Sequence, residues 1–164
     1  MLTLVTRFVL AGKEEEVSSA RRLIIDKARS WGVPLDDETA DAVRLVASEL
    51  ITNAVVHGEG PITVALYDRP GSLVIDVLDS DPVAALKANG TEADDESGRG
   101  LALVGFLAVR SGWNLTDRGK RVWAEIALPR PAQAAWTSIL RRLFADRPGP
   151  EIRGAPASLP RAVA

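Results

Sequence analysis

The chain has 164 residues, 46% of them hydrophobic and 26% charged, with a formal net charge of −2 and no cysteine. That is enough for one domain around a single apolar core, with the composition of a soluble globular protein. It excludes a disulfide framework or thiolate metal site, and it gives no support to general nucleic-acid binding, which needs a basic field.

Leu2 to Leu10 is rich in Val, Leu, Thr and Phe and reads as a first strand. In the next stretch, Glu14, Glu15 and Glu16 suit the positive end of a helix dipole. Val17, Ala20, Leu23, Ile24 and Ala28 then recur at helical spacing, and Gly32 can end the helix. Asp36 or Asp37 can cap a second helix that runs to about His57, where Gly58, Gly60 and Pro61 stop it. Ile62 to Tyr67 and Leu73 to Leu78 read as strands of an antiparallel hairpin around the "DRPGS" turn.

The long polar stretch after Asp79 has the length of a functional or disordered loop. A helix opens near Gly100 through "LALVGFLAVR", and two closing strands surround a turn at Arg118–Gly119. A last helix, Ala132 to about Ala145, carries Trp136, Ile139, Leu140 and Leu143 at helical spacing, which fits either packing on the domain or a surface for a dimer or partner. The Pro-, Gly- and Ala-rich tail over 147–164 reads as mobile, leaving 1–146 as the domain. No run reaches the roughly 18 apolar residues that cross a bilayer. Arg7 within the first apolar stretch and the acids after it make a poor signal peptide, so the expected location is the cytoplasm. The element order predicts an α+β, two-layer sandwich: a mixed, mainly antiparallel sheet with helices on one face.

Three features carry chemistry. Glu49, Asn53 and His57 lie at steps of four on the second helix, beside the apolar stripe of Val43, Val46, Ala47, Leu50 and Ala54. Taken alone, a solvated edge ending in a histidine that meets the helix dipole explains them. Asp79 ends an apolar strand, where a carboxylate can accept a hydrogen bond from an exocyclic amine, although an Asp there is more often a turn former. Gly98 and Gly100 flank Arg99 at a helix start, where free N–H groups favour phosphate. A lone G-x-G is a weak signal, and it completes neither a P-loop nor G-x-G-x-x-G after a strand.

In order and spacing, "ELITNAVVHG", "DVLDSDP" and "SGRGLALV" resemble the N, G1 and G2 boxes of the GHKL (Bergerat) ATP-binding fold. The chain is most similar to small bacterial regulators of the anti-sigma-factor serine kinase type, over roughly residues 10 to 129. The resemblance implies ATP and Mg²⁺ as cofactors. Asn53 would ligate Mg²⁺, which prefers oxygen donors. Glu49 would accept the proton of an attacking hydroxyl or water. His57 would support lid or phosphate geometry. Asp79 would pair with the adenine amino group, residues 82–97 would form the lid, and Gly98, Arg99, Gly100 and Leu101 would cradle the phosphates.

The implied activity is serine phosphorylation of a small antagonist protein, with a sigma factor as the second partner and neither nucleic acid nor membrane in direct contact. The alternative is a non-catalytic interaction module of the same fold. Two departures from the family pattern stand out. The G1 box lacks both glycines of D-x-G-x-G. Arg121 stands after Gly119–Lys120, where the family tends to have Thr, and an inward-pointing Arg121 would crowd the base.

Overall fold

The structure, a computed structural model, describes residues 1–80 and 95–130, with the backbone alone at 95–99. Five strands and three helices follow in the order β1 (Thr3–Leu10), α1 (Glu16–Trp31), α2 (Asp37–His57), β2 (Ile62–Arg69), β3 (Ser72–Asp79), α3 (Asp95–Leu107), β4 (Arg110–Thr116) and β5 (Gly119–Ala127). The strands form one sheet in the order β1-β2-β3-β5-β4. Every pairing in it is antiparallel, so the sheet is not mixed among the described residues. The expected helix over 132–145, the tail and the lid residues 82–94 lie outside the described residues.

Local chemistry sets the helix ends. Glu16 opens α1 by accepting the backbone N–H groups of Ala11 (3.1 Å) and Lys13 (3.0 Å). Gly32 closes it at φ 87°, a left-handed cap that glycine adopts without steric penalty. Asp36 caps α2, accepting the Thr39 N–H at 2.8 Å. The β2–β3 hairpin is tighter than the sequence suggests. Arg69 faces Ser72 across a two-residue Pro70–Gly71 turn, with Gly71 at φ 81°.

Alternation along the strands divides the sheet into two unlike faces. The inner face presents Ile62, Val64, Leu66, Leu73, Ile75, Val77, Ala124 and Ile126, all buried. α2 lays Val43, Val46, Ala47, Leu50, Ile51 and Ala54 on it, and α1 and α3 pack on either side of α2, adding Ala20, Ile24, Ile25, Ala28 and Val104. Each fully buried Ile, Leu or Val contributes about 1.5–3 kcal/mol. This one-sided layer is the two-layer sandwich expected from the element order.

The outer face is polar at its centre. Glu125 is only 6% exposed. It accepts the Ser72 hydroxyl at 2.6 Å, the Arg110 Nη2 at 2.6 Å and Nε at 3.0 Å, and the Arg69 Nη1 at 3.3 Å. Asp76, equally buried, takes Arg121 in a two-pronged grip, with Nε at 2.5 Å and Nη2 on the same oxygen. Such charges persist inside a protein only when paired.

The Ser72 hydroxyl first, then Arg110 and Arg69, hold the Glu125 carboxyl below the ordinary glutamate value of 4.5. Thr39 lowers Asp36 in the same way. A depressed carboxylate stabilises the fold above its unfolded value, and that stabilisation is lost as pH falls through its folded value. Stability should therefore fall as the pH drops below about 4.5. Melting temperatures measured across this window should decline less steeply for Glu125→Gln than for the wild type. Arg121→Ala strands the buried Asp76 and should cost about 2 kcal/mol in urea unfolding at neutral pH.

Candidate functional site

The inner-face packing of α2 decides where its polar residues point. With Leu50, Ile51 and Ala54 committed to the sheet, Glu49 and Asn53 lie at the border of the core, both half-buried, and His57 is exposed at the helix end. The three residues predicted from the four-residue step therefore do line one side of α2. Gly58 lies nine positions after Glu49. At 1.5 Å per residue this is about 13 Å of helix, comparable with an extended nucleoside triphosphate.

Asp79 closes one end of this line. It is the last residue of β3, paired with Ile62 across the ladder and buried at 4% exposure. Parity puts it on the inner face with Leu73, Ile75 and Val77, so its carboxylate turns toward α2 rather than into a turn. It lies against Gly58, directly after α2. Ser80 follows and donates its hydroxyl to the Pro61 carbonyl, which ties the end of β3 to the start of β2. Gly119, at φ 139°, brings the β4–β5 turn so close that a side chain there would strike the Asp79 carbonyl.

α3 closes the other end. Gly100 approaches Glu49 so nearly that a methyl at Gly100 would overlap Glu49 Oε2. The helix begins at Asp95 rather than near Gly100, so Gly98, Arg99, Gly100 and Leu101 lie inside its first two turns, and Leu101 is 41% exposed. Gly98 and Gly100 read as a helix start, yet the acids Asp95 and Glu96 that precede them favour an earlier helix N-terminus. Glycine within a helix costs about 1 kcal/mol relative to alanine, so this opening turn is intrinsically weak.

The Arg121 position is resolved by register. Arg121 pairs with Leu78 and therefore lies on the outer face, held by Asp76. Its neighbour Val122, opposite Val77, faces the helices and packs on the core. No long cation enters the space beside Asp79 from this strand position.

The donor set fits a magnesium nucleotide. An amide oxygen at Asn53 and a carboxylate at Glu49 suit a hard cation that takes few protein ligands, and an acid at Asp79 suits an exocyclic amine. Sequence reasoning treated Gly58 only as a helix stop and did not see that it lies beneath Asp79. A glycine directly following a polar helical stripe was the available signal.

A family model described as the histidine kinase-like ATPase domain matches residues 10–126. Two curated proteins of Mycobacterium tuberculosis, a sensor histidine kinase component HK1 and a probable sensor histidine kinase HK, are each 29% identical over 107 residues. Each match covers 56% of this chain, and it covers 64% of the first relative and 28% of the second, less than two thirds of either. Among solved structures, the RsbU and RsbW domains of Rv1364c from Mycobacterium tuberculosis match with a TM-score of 0.53 at 18% identity, over 77% of this chain and 33% of that one. At that identity the likeness speaks to the fold. The family match spans the three helices, strands β2 to β5 up to Ile126 and the candidate site, and the chain belongs to the histidine kinase-like ATPase (GHKL) family, membership of which implies ATP binding.

Proposed function

We propose that this chain is an ATP- and Mg²⁺-dependent protein serine kinase of the anti-sigma-factor type, acting in the cytoplasm to regulate transcription. It binds a sigma factor in one state and phosphorylates a small antagonist protein on serine in another. The observation that carries the reading is the line along α2: Gly100 against Glu49 at one end, Asn53 between, and buried Asp79 against Gly58 at the other.

In this reading Asp79 accepts a hydrogen bond from the adenine amine, and Asn53 gives its side-chain oxygen to Mg²⁺. The backbone of Gly98, Arg99, Gly100 and Leu101 meets the phosphates, with Arg99 adding positive charge. His57 supports the lid. ATP would supply the phosphoryl group, and Mg²⁺ would neutralise its developing charge. Glu49 accepts the proton of the serine hydroxyl as its oxygen attacks the γ-phosphorus and ADP departs. Residues 1–146 act as the domain, and the apolar residues Trp136, Ile139, Leu140 and Leu143 are compatible with a homodimer.

The packing of Gly100 on Glu49 favours a second reading, a non-catalytic module. In it, the carboxylate stays covered and the fold sequesters a partner without phosphotransfer.

Labelled ATP, Mg²⁺ and the cognate antagonist separate the two. The kinase reading expects acid-stable phosphoserine on the antagonist, and a loss of about 10²–10⁴-fold in rate for Glu49→Ala. Acid-labile label would indicate phosphohistidine instead, the product suggested by the names of the histidine kinase relatives. No transfer, with Glu49→Ala equal to wild type, would favour the module. Calorimetry with an ATP analogue should show Mg²⁺-dependent binding that Asn53→Ala abolishes and Arg121→Ala leaves unchanged, because Arg121 sits on the opposite face. Gly100→Ala provides a test of sign. On an ordinary helix it stabilises by about 1 kcal/mol, and here the methyl meets only the far end of the Glu49 side chain, which can swing aside, so the melting temperature should not fall while the displaced carboxylate slows phosphotransfer.

A further inference from the structure

Gly58 is not explained by its backbone. Its φ of −100° and ψ of 174° are extended, a region open to any residue. Glycines that end helices usually do so in the left-handed conformation, as Gly32 does at φ 87°. Nor is a helix stop the reason, since Pro61 and the extended backbone already end α2. The Gly58 N–H donates to the Ala54 carbonyl at 2.9 Å, which any residue but proline would do.

Space explains it. A β-carbon at Gly58 would stand 2.9 Å from both Cγ and Oδ2 of Asp79, and 2.5 Å from the Ala54 carbonyl oxygen. The Asp79 carboxylate is seated in the room that a side chain at Gly58 would take. It has no retreat along the strand. Asp79 is paired with Ile62 on one flank, and on the other its carbonyl meets Gly119. Ser80 is fastened to Pro61. A methyl at Gly58 therefore meets two groups: the Ala54 carbonyl, which a small adjustment of the extended Gly58 backbone must accommodate, and the Asp79 carboxylate, whose own backbone is pinned on both sides, so that this second contact is eased by turning the carboxylate away from α2.

We infer that Gly58 is a specificity-determining positioning residue. By lacking a side chain, it sets the depth at which Asp79 sits, and with it the preference for a purine carrying an exocyclic amine at the edge Asp79 reads. The inference rests on the nucleotide-binding reading above and adds to it a residue that touches no ligand. A site built to hydrogen-bond one group discriminates strongly against a ligand that lacks it. That discrimination depends on the acceptor's position to within a fraction of an ångström.

The test is the ratio of affinities for fluorescent ATP and GTP analogues with Mg²⁺, measured on the full chain for wild type, Gly58→Ala, Asp79→Ala and the double variant. Wild type should prefer the adenine nucleotide. Gly58→Ala should lower the ratio by about tenfold while still melting cooperatively. In the Asp79→Ala background the same change should alter the ratio by less than about twofold, since its route of action is gone. A wild-type ratio in Gly58→Ala, or an equal fall in both backgrounds, overturns the inference while leaving nucleotide binding intact. A wild type that binds neither nucleotide overturns the ATP reading itself, and this inference with it. If Gly58→Ala does not fold, Asp79→Glu puts the question from the other side. Its extra methylene cannot be seated over Gly58, so the ratio should fall, and a wild-type ratio in this variant overturns the inference.

Discussion

The seating of α2 on the inner face of the sheet is the constraint on which the rest depends. Seven buried residues at helical spacing, from Ala40 to Ala54, fix both the rotation and the axial position of this helix. A helix so fixed has no freedom to choose where its remaining side chains go. Glu49 and Asn53 are at the border because Leu50, Ile51 and Ala54 are inside. The site is thus a by-product of packing in the strict sense: the hydrophobic term orients the helix, and the polar residues inherit a direction.

The sheet enforces a matching division. Period-two alternation sends Asp79 to the helix side and Asp76, three residues earlier, to the other. Both are buried acids on one strand, and they are stabilised by different means. Asp76 is neutralised by Arg121, within an outer face that also carries the Glu125 cluster. Asp79 is shaped by glycines, with Gly58 beneath its carboxylate and Gly119 beside its carbonyl. One acid is held by an ion pair, and the other sits where two glycines let neighbouring backbone approach it closely.

Much of this was legible in the sequence. The 3.6-residue recurrence from Val43 to Ala54 gave α2 and its buried stripe, and the caps at Asp36 and Gly32 were readable because capping is local chemistry. The strand of Asp79 was placed to within a residue or two. What failed to show was whatever depends on register. Arg121 follows a glycine and a lysine, and nothing nearby says which face it takes. A one-residue slip against β3 would turn it inward. The Glu125 cluster was equally invisible, since Arg69, Ser72, Arg110 and Glu125 come from four strands and meet only across the folded sheet. The start of α3 was placed near Gly100 rather than at Asp95 because the acids ahead of the glycines were not weighed. Gly58 was seen as punctuation, since its role lies in a residue twenty-one positions away.

The strand order carries its own kinetic logic. β2–β3 and β4–β5 are each hairpins of neighbours in sequence, formed through short turns, whereas β3 and β5 are adjacent in the sheet although α3 and β4 intervene. The sheet therefore contains two locally assembled ribbons joined along a seam, with β1 added at the β2 edge, and Val77 against Val122 lies on that seam. Closing a loop of this kind costs an entropy that grows only with the logarithm of its length. Chain can be added to or removed from the connection between β3 and α3 at little thermodynamic expense. The fold is thus free to vary the length of that connection while the seam, and the two acids on either side of β3, stay in place.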